Sequence, residues 1–463
     1  MRVTRLAPAA SVVERALELA GSGETIVVVE DRSEAELRFA NNTTTTNGER
    51  RDRRVSVARI HHRADGPHVG VASASGWSDV SELVAAADAD AAAAPPADDG
   101  APLSFDAEDE NFAEDPTETS LEVFSRLLGE LGEAFGRARA EGYVLAGFAS
   151  HALATTYLGA SNGLRRRHAQ PTGTFELVAR RPADGASTWA GVGTADFTDV
   201  SLAQLEATAR RRLEWSGRRL ELPAGRYEVL LPPDAVADLV IEIDAAASGR
   251  EAEDGGTVFS AASGRTRRGE QLCELPFRLF SDPAHASLAC APFLVAPVSG
   301  TDVSVFDNGA PVHATDWIRR GRLERLRYHR AGAARSGEEF TPPVDNLVLE
   351  LPGASASLDE MVRRTRRALL LTCLWYIRVV DVSTLLLTGL TRDGVYLVED
   401  GEVVGAVNNF RFNESPLDVL AKTLEAGRTE RALSREWGEW LSRTAMPPLR
   451  VAEFNMSSVS PAS

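Results

Sequence analysis

The residue types that most often carry chemistry are sparse in this sequence and badly spaced for it. His61 and His62 are adjacent, His313 follows Pro311-Val312, and His329 sits among arginines. None has a second histidine or a cysteine three or four residues away, the spacing that places two such donors on one helical face. A self-contained metal site is therefore not expected, and a lone histidine among cations such as His329 reads as solvent-facing. No GxSxG elbow occurs. Cys273, Cys290 and Cys373 lie in apolar settings without a CxxC pair. An odd number of such cysteines fits free thiols in a reducing compartment, so the expected location is the cytoplasm.

Two polar clusters offer binding chemistry instead. Arg165, Arg166 and Arg167, followed by His168, come just after Asn162-Gly163. They read as edge-strand charges that discourage pairing, or as guanidinium forks that grip carboxylates of a partner or peptide. The second cluster closes the stretch Thr372 to Ser415. Here Val395 to Val398 runs into Asp400-Gly401, a strong hairpin signal because Gly accepts positive φ. The returning strand is expected from Val403 to Phe412. Asn408, Asn409 and Arg411 finish it, and Arg392 precedes the hairpin. These four read as candidate peptide or partner contacts, or as a strand leaving the core for a loop.

The elements that must position these groups are legible from apolar periodicity. Ser11 to Ala20 has helical spacing, and Thr25 to Val29 is a run of β-formers. Leu37 and Phe39, a polar tract ending at Asn47-Gly48, and Val55 with Val57 make a hairpin-like unit. Gly70 to Ser75 reads as a strand, and Ser78 as the start of a helix with Asp79 and Glu82 in its first turn. Ala87 to Pro102 is acidic, alanine-rich and broken by prolines, a linker short of apolar surface to bury.

From Ser120 to Ala140, Leu121, Phe124, Leu127, Leu128, Leu131 and Phe135 form one apolar stripe. Tyr143 to Arg180 then repeats the earlier order: apolar segment, threonines, Asn-Gly, a basic cluster and a strand. The first copy has Thr43 to Thr46, Asn47-Gly48, Arg50, Arg51, Arg53 and Arg54 in that order. The two halves look like an internal duplication. Leu202 to Ser216 reads as a helix and Gly225 to Leu231 as a strand. Asp234 then reads as the cap of a helix whose apolar side carries Val236, Leu239, Val240 and Ile243.

Beyond it, Gly256 to Gly264, Ala291 to Val298, the segment around Asp307-Asn308-Gly309, and Asn346 to Leu351 alternate β runs with turns. Leu358 to Arg367 is expected as a helix, and Leu449 to Ser460 as a strand with Phe454 and Met456 on one face.

With 463 residues, 43% of them hydrophobic, the chain can fill several cores. Lys+Arg total 50 against 67 Asp+Glu, a net charge of −17. That balance argues against general binding to nucleic acid or anionic membrane, which favour a basic footprint. The N-terminus carries Glu14 and Glu18 within its helical pattern and lacks the continuous apolar run of a signal peptide. No stretch of about 18 apolar residues could span a bilayer.

The stretch TGLTRDGVYLVEDGEVVGAVNNFRFNES resembles the C-terminal domain of the TldD/PmbA family, once called modulators of DNA gyrase. The likeness continues in order through most of the chain. It implies a two-subunit zinc metallopeptidase, with a catalytic TldD and a partner of TldE or PmbA type. In the catalytic subunit a helix matching DAVADLVIEIDAAASG carries HExxxH, whose histidines hold zinc while the glutamate activates water. A cysteine in a Gly-rich stretch before the last strand supplies the third ligand. Here no histidine falls between His168 and His285, Glu242 and Asp244 stand without imidazole, and Arg435 to Val451 contains no cysteine.

The resemblance therefore implies an α+β protein of the TldE/PmbA type. The expected domains are residues 1–86 and 105–221, two related α/β units joined by the acidic linker 87–104, and a larger, mainly antiparallel β-rich domain over 222–463. The implied function is a non-catalytic or regulatory subunit, without its own cofactor, of a heterodimer whose zinc sits in a TldD-like partner and whose substrate is unfolded or small peptide. A stand-alone peptide-binding or chaperone-like module and a peptidase with an unrecognised site are the alternatives.

Overall fold

The computed structural model describes residues 7–76 and 79–460. The N-terminal half is built twice from one plan. Helix α1 (Ala9–Ala20) precedes β1 (Glu24–Ala40), β2 (Thr43–Arg63), β3 (Gly66–Ser75) and α2 (Val80–Ala93). Helix α3 (Ser125–Glu141) precedes β4 (Val144–Ala160), β5 (Arg165–Arg181), β6 (Ala186–Thr194) and α4 (Leu202–Trp215) in the same order. The six strands form one antiparallel sheet ordered β3-β2-β1-β4-β5-β6. The two halves meet along β1 and β4, from Ile26 opposite Ala160 to Phe39 opposite Gly147. They are halves of one sheet, and this topology carries the internal repeat.

β1 is far longer than its apolar start because Ala35, Leu37 and Phe39 keep alternate positions buried while charged residues face out. The turn into β2 falls at Asn41-Asn42, with φ of 51° and 58°, and not at Asn47-Gly48, which lie within β2. Asparagine tolerates that left-handed conformation. In α3, Leu127, Leu131 and Phe135 are buried but Leu128 points outward. Asp79 caps α2 by accepting from Ser81 N, with Glu82 in the first turn. The helix start expected at Ser78 lies outside the described residues.

One face of the sheet packs Val27, Val29, Val55 and Val57 on α1 and α2, while Ala35, Leu37, Phe39 and Phe175 pack on α3 and α4. The other face buries Ile26, Val28 and Leu158 against Phe293, Val305 and Phe306 of the C-terminal half. Each such buried side chain is worth about 1.5–3 kcal/mol. The acidic linker is ordered by polar contacts together with packing of Ala97, Ala101 and Leu103 against the core under the sheet. Its first residues finish α2, Ser299 Oγ donates to Asp99 Oδ2 at 2.5 Å, and Arg330 donates to Pro102 O and to Ser104 Oγ.

The C-terminal half is β-rich, with a ten-stranded and a six-stranded sheet. Gly225–Leu231 is a strand over the residues expected, flanked by Arg367–Leu371 and Leu449–Val459. Phe454 and Met456 of the last strand are fully buried. Val395–Glu399 and Glu402–Val407 form the expected hairpin, with Asp400 and Gly401 at φ 48° and 86°. The returning strand stops at Val407. Phe410–Glu414 is a separate strand beside Leu386–Thr391.

Ala291 to Val298 forms no extended strand. Its backbone makes an isolated antiparallel bridge at Phe293 with Pro311, and at Ala296 the Asn308 side chain takes over, accepting from Ala296 N and donating to Ala296 O. The helix expected from Leu358 ends at Arg364, and Arg367 already belongs to the next strand. Helix α5 (Pro233–Ala245) packs against both sheets, inside a core that includes Leu279, Leu349, Leu369 and Phe454.

Candidate functional site

Pro233 starts α5 with its fixed φ, and every residue from Ala235 to Ile243 is buried. Val236, Leu239, Val240 and Ile243 fill the core as the periodicity requires. Asp234, Asp238 and Glu242 recur every fourth residue and so share one face. Asp234 is not the helix cap. It lies in the first turn, and its Oδ1 accepts from Leu433 N at 2.9 Å.

That acidic face meets the segment Leu433 to Trp437. Ser434 Oγ donates to Asp238 Oδ1 at 2.6 Å, and Glu436 N donates to the same oxygen at 3.0 Å. Trp437 N in turn donates to Ser434 Oγ, closing a turn around the buried acid. Asp238 Oδ2 has no partner among the described residues. Burial pushes the Asp238 carboxyl up to about 8 and Asp234 up to about 6, and it raises Glu242 as well. Asp238 is thus protonated at neutral pH.

Around this contact, the Arg435 guanidinium lies between the rings of Trp189 and Trp375, 5.1 and 4.9 Å from their centroids. Its nearest carboxylate is Asp393 at 3.8 Å, which also accepts from Ser187 Oγ. Glu436 reaches the other way, accepting from Tyr376 N and Arg378 Nη1, both at 2.8 Å. Tyr376 has φ 56°, a left-handed conformation costly for an aromatic residue. The thiol of Cys373 is buried and its pKa raised by that burial, so it offers no thiolate.

Chemically, this arrangement locks the segment 433–437 onto α5 through buried carboxyls. Metal ligands must be deprotonated. Asp234 and Asp238 are burial-shifted toward the protonated form and committed to backbone N–H groups, and no imidazole stands near. The residues present do not fit zinc. Among the described residues, no group of three or more His, Cys, Asp and Glu side chains could hold a metal ion. The three cysteines are free and buried. His329 is buried, and its Nδ1 accepts from Gly332 N to cap the helix Arg330–Ser336; a capping role explains why it does not face solvent. His61 and His62 bond Asp88 and Glu24 separately.

The candidate contacts divide into two groups. Asn408 Oδ1 accepts from Leu222 N at 2.8 Å, and Thr391 Oγ1 donates to Asn409 Oδ1 at 3.3 Å. Arg411 is exposed, with Nη1 3.3 Å from Thr388 Oγ1, and Arg392 lies 3.7 Å from Asp393. Asn409, Arg411 and Arg392 thus gather along the strand Leu386–Thr391. Arg165, Arg166 and Arg167 sit apart on β5, an inner strand. They hold the chain's own carboxylates: Glu14 at 2.6 Å, Asp109 at 3.0 Å and Glu114 at 4.0 Å. Sequence reasoning misses Asp238, although its four-residue spacing from Asp234 and Glu242 is legible there.

Comparison with known proteins places this architecture. The structure resembles TldE from Thermococcus kodakarensis, with a TM-score of 0.75 at 15% identity over 96% of this chain and 98% of that one. It also resembles a putative modulator of a DNA gyrase from Thermotoga maritima, TM-score 0.74 at 17% identity, covering 96% and 99%. A putative modulator of DNA gyrase from Bacteroides thetaiotaomicron gives 0.72 at 13% identity, covering 97% and 98%. No curated protein sequence matches. The family model for the PmbA/TldA metallopeptidase C-terminal domain matches residues 224–458, just over half of the chain. The chain belongs to the TldD/PmbA family.

Proposed function

We propose that this chain is a non-catalytic subunit of a TldD/TldE-like heterodimeric zinc metallopeptidase that processes unfolded or small peptides. The supporting observation is the acidic face of α5, which is spent on Leu433, Ser434 and Glu436 where a catalytic subunit of the family would present zinc ligands. In this reading zinc and the activated water belong to a TldD-like partner, and this chain contributes surface. The net charge of −17 gives no support to a nucleic-acid or membrane partner. Among the described residues no helix is long and apolar enough to cross a membrane. Free, buried thiols fit a cytoplasmic location.

Co-expression with an HExxxH-bearing chain of the same source tests the reading. The expected result is an equimolar complex that cleaves an unfolded peptide. Separate elution of two folded chains, with full cleavage by the partner alone, contradicts it.

One observation favours a second reading, a peptide-binding module that acts alone. The strand Leu374–Asp381 ends the ten-stranded sheet and exposes Tyr376, Val379 and Val380. A sheet edge can add a peptide strand through backbone hydrogen bonds, with little sequence preference. Saturable binding of unfolded peptide by the isolated chain supports this alternative.

A further inference from the structure

Two adjoining cavities of about 450 and 360 Å³ in the C-terminal half share Glu253, Gly264 and Ser336. Their walls include the short hairpin of Ser260–Ala261 with Arg265–Thr266, the strand Arg322–Leu323, and the helix Arg330–Ser336. The larger cavity is lined by three guanidinium groups. Arg268 is engaged, donating to Glu324 O and pairing with Glu338. Arg265 makes only a 3.5 Å contact with Ala262 O. The Arg322 side chain has no hydrogen-bond, ion-pair or ring partner among the described residues.

Arg265 and Arg322 thus share one cavity without an ion pair to either, whereas Arg268 beside them is paired with Glu338. Three carboxylates, Glu253, Glu324 and Glu338, line the cavity with them, and none forms an ion pair with Arg265 or Arg322. Glu253 accepts from Tyr328 Oη at 2.8 Å, and Glu338 is held by Arg268. Gly269, at φ 88°, lies against the Arg322 guanidinium, and a Cβ there would stand 3.1 Å from Nη2. Backbone therefore helps to hold Arg322 at the cavity. Like charges facing one cavity repel, and an oxyanion between them converts that cost into charge-assisted, bidentate hydrogen bonds. The volume falls within the usual range for a small-ligand site.

We propose that this cavity binds a small ligand through a carboxylate or phosphate group held by Arg265 and Arg322. The assignment is independent of the peptidase reading, because it uses none of the residues of α5 or of the segment 433–437.

The test titrates the full chain, at constant ionic strength, with inorganic phosphate, with a free-carboxylate dipeptide and with the same dipeptide amidated. Heat of binding and the shift in thermal midpoint are the readouts. Saturable binding of phosphate or of the free carboxylate is expected, the responding probe identifying the oxyanion. Affinity should fall roughly tenfold or more in Arg265→Gln/Arg322→Gln, a loss of about 1.4 kcal/mol. Both side chains are exposed, so the variant should fold. Arg265→Lys/Arg322→Lys should retain charge but lose the fork and fall between. The proposal is overturned by no saturable binding of either oxyanion, by equal binding in the glutamine variant, or by equal competition from chloride.

Discussion

Asp238 and Ser434, 196 residues apart in sequence, are joined by a 2.6 Å hydrogen bond at the centre of the C-terminal half. The same carboxyl oxygen accepts from Glu436 N, so one buried acid fixes a turn that reaches the sheet edge through Glu436 and Tyr376. Removing the acid strands both donors. Asp238→Ala should cost about 1–3 kcal/mol for each donor left unsatisfied. Chemical denaturation checks this, and an unchanged midpoint contradicts it.

The same residue sets a pH dependence. Its carboxyl titrates near 3.8 in the unfolded chain and at about 8 when folded, chiefly through desolvation. Between those values the unfolded chain has released a proton that the folded chain keeps. Stability from this group is therefore full below about pH 4 and is lost as pH rises to about 8, with a slope of about 1.4 kcal/mol per pH unit. Asp234 has the same sign but finishes near 6. Denaturant midpoints between about pH 6 and 8 should thus fall more steeply in the wild type than in Asp238→Asn. Parallel slopes would mean that Asp238 does not hold its proton.

Arg330 ties the acidic linker to the C-terminal half. It donates to buried Asp307, to Phe306 O, to Pro102 O and to Ser104 Oγ, and lies 4.8 Å from the Phe105 ring centroid. Arg330→Ala leaves the Asp307 carboxylate buried and unpaired, at a cost on the order of 3 kcal/mol. The variant should melt earlier and be cut by protease between Ala94 and Phe105, where the wild type resists. Preferential cutting of the wild type there would show that these bonds do not hold the linker.

Arg411 and Arg392 are exposed and make few contacts. Arg411→Ala and Arg392→Ala should each change stability by less than about 0.5 kcal/mol. If this surface meets the peptide, the reconstituted complex should lose activity while remaining assembled. Asn409→Ala differs, because the Asn409 side chain takes a hydrogen bond from Thr391, so part of its effect will be on stability. Unchanged turnover in all three variants would leave this strand as scaffold.

Much of the fold could be read from local chemistry. The Gly225–Leu231 strand and the Asp400-Gly401 turn fall where β-formers and a positive-φ pair put them. The full length of β1 is hard to see in sequence because its charged residues obscure a buried alternation at Ala35, Leu37 and Phe39. Ala291 to Val298 reads as a strand from composition, yet its pairing with residues 309–312 is a single bridge finished by the Asn308 side chain, which local pattern does not reveal. The arginines of β5 read in sequence as edge charges or grips on a partner, and their pairs with Glu14 and Asp109 depend on the tertiary arrangement. Asp238 was hidden for a different reason: an acid in an amphipathic helix is usually exposed, and only burial of the whole helix makes it a structural centre.

The central claim, that the α5 position holds no working zinc centre in this chain, is tested most directly by elemental analysis of the purified, dialysed chain beside a peptide-cleavage assay. The account predicts substoichiometric zinc and no cleavage, with chelator-sensitive cleavage appearing only when an HExxxH-bearing partner is added. Stoichiometric zinc in the isolated chain, with peptide cleavage abolished by a chelator and restored by zinc, would contradict it.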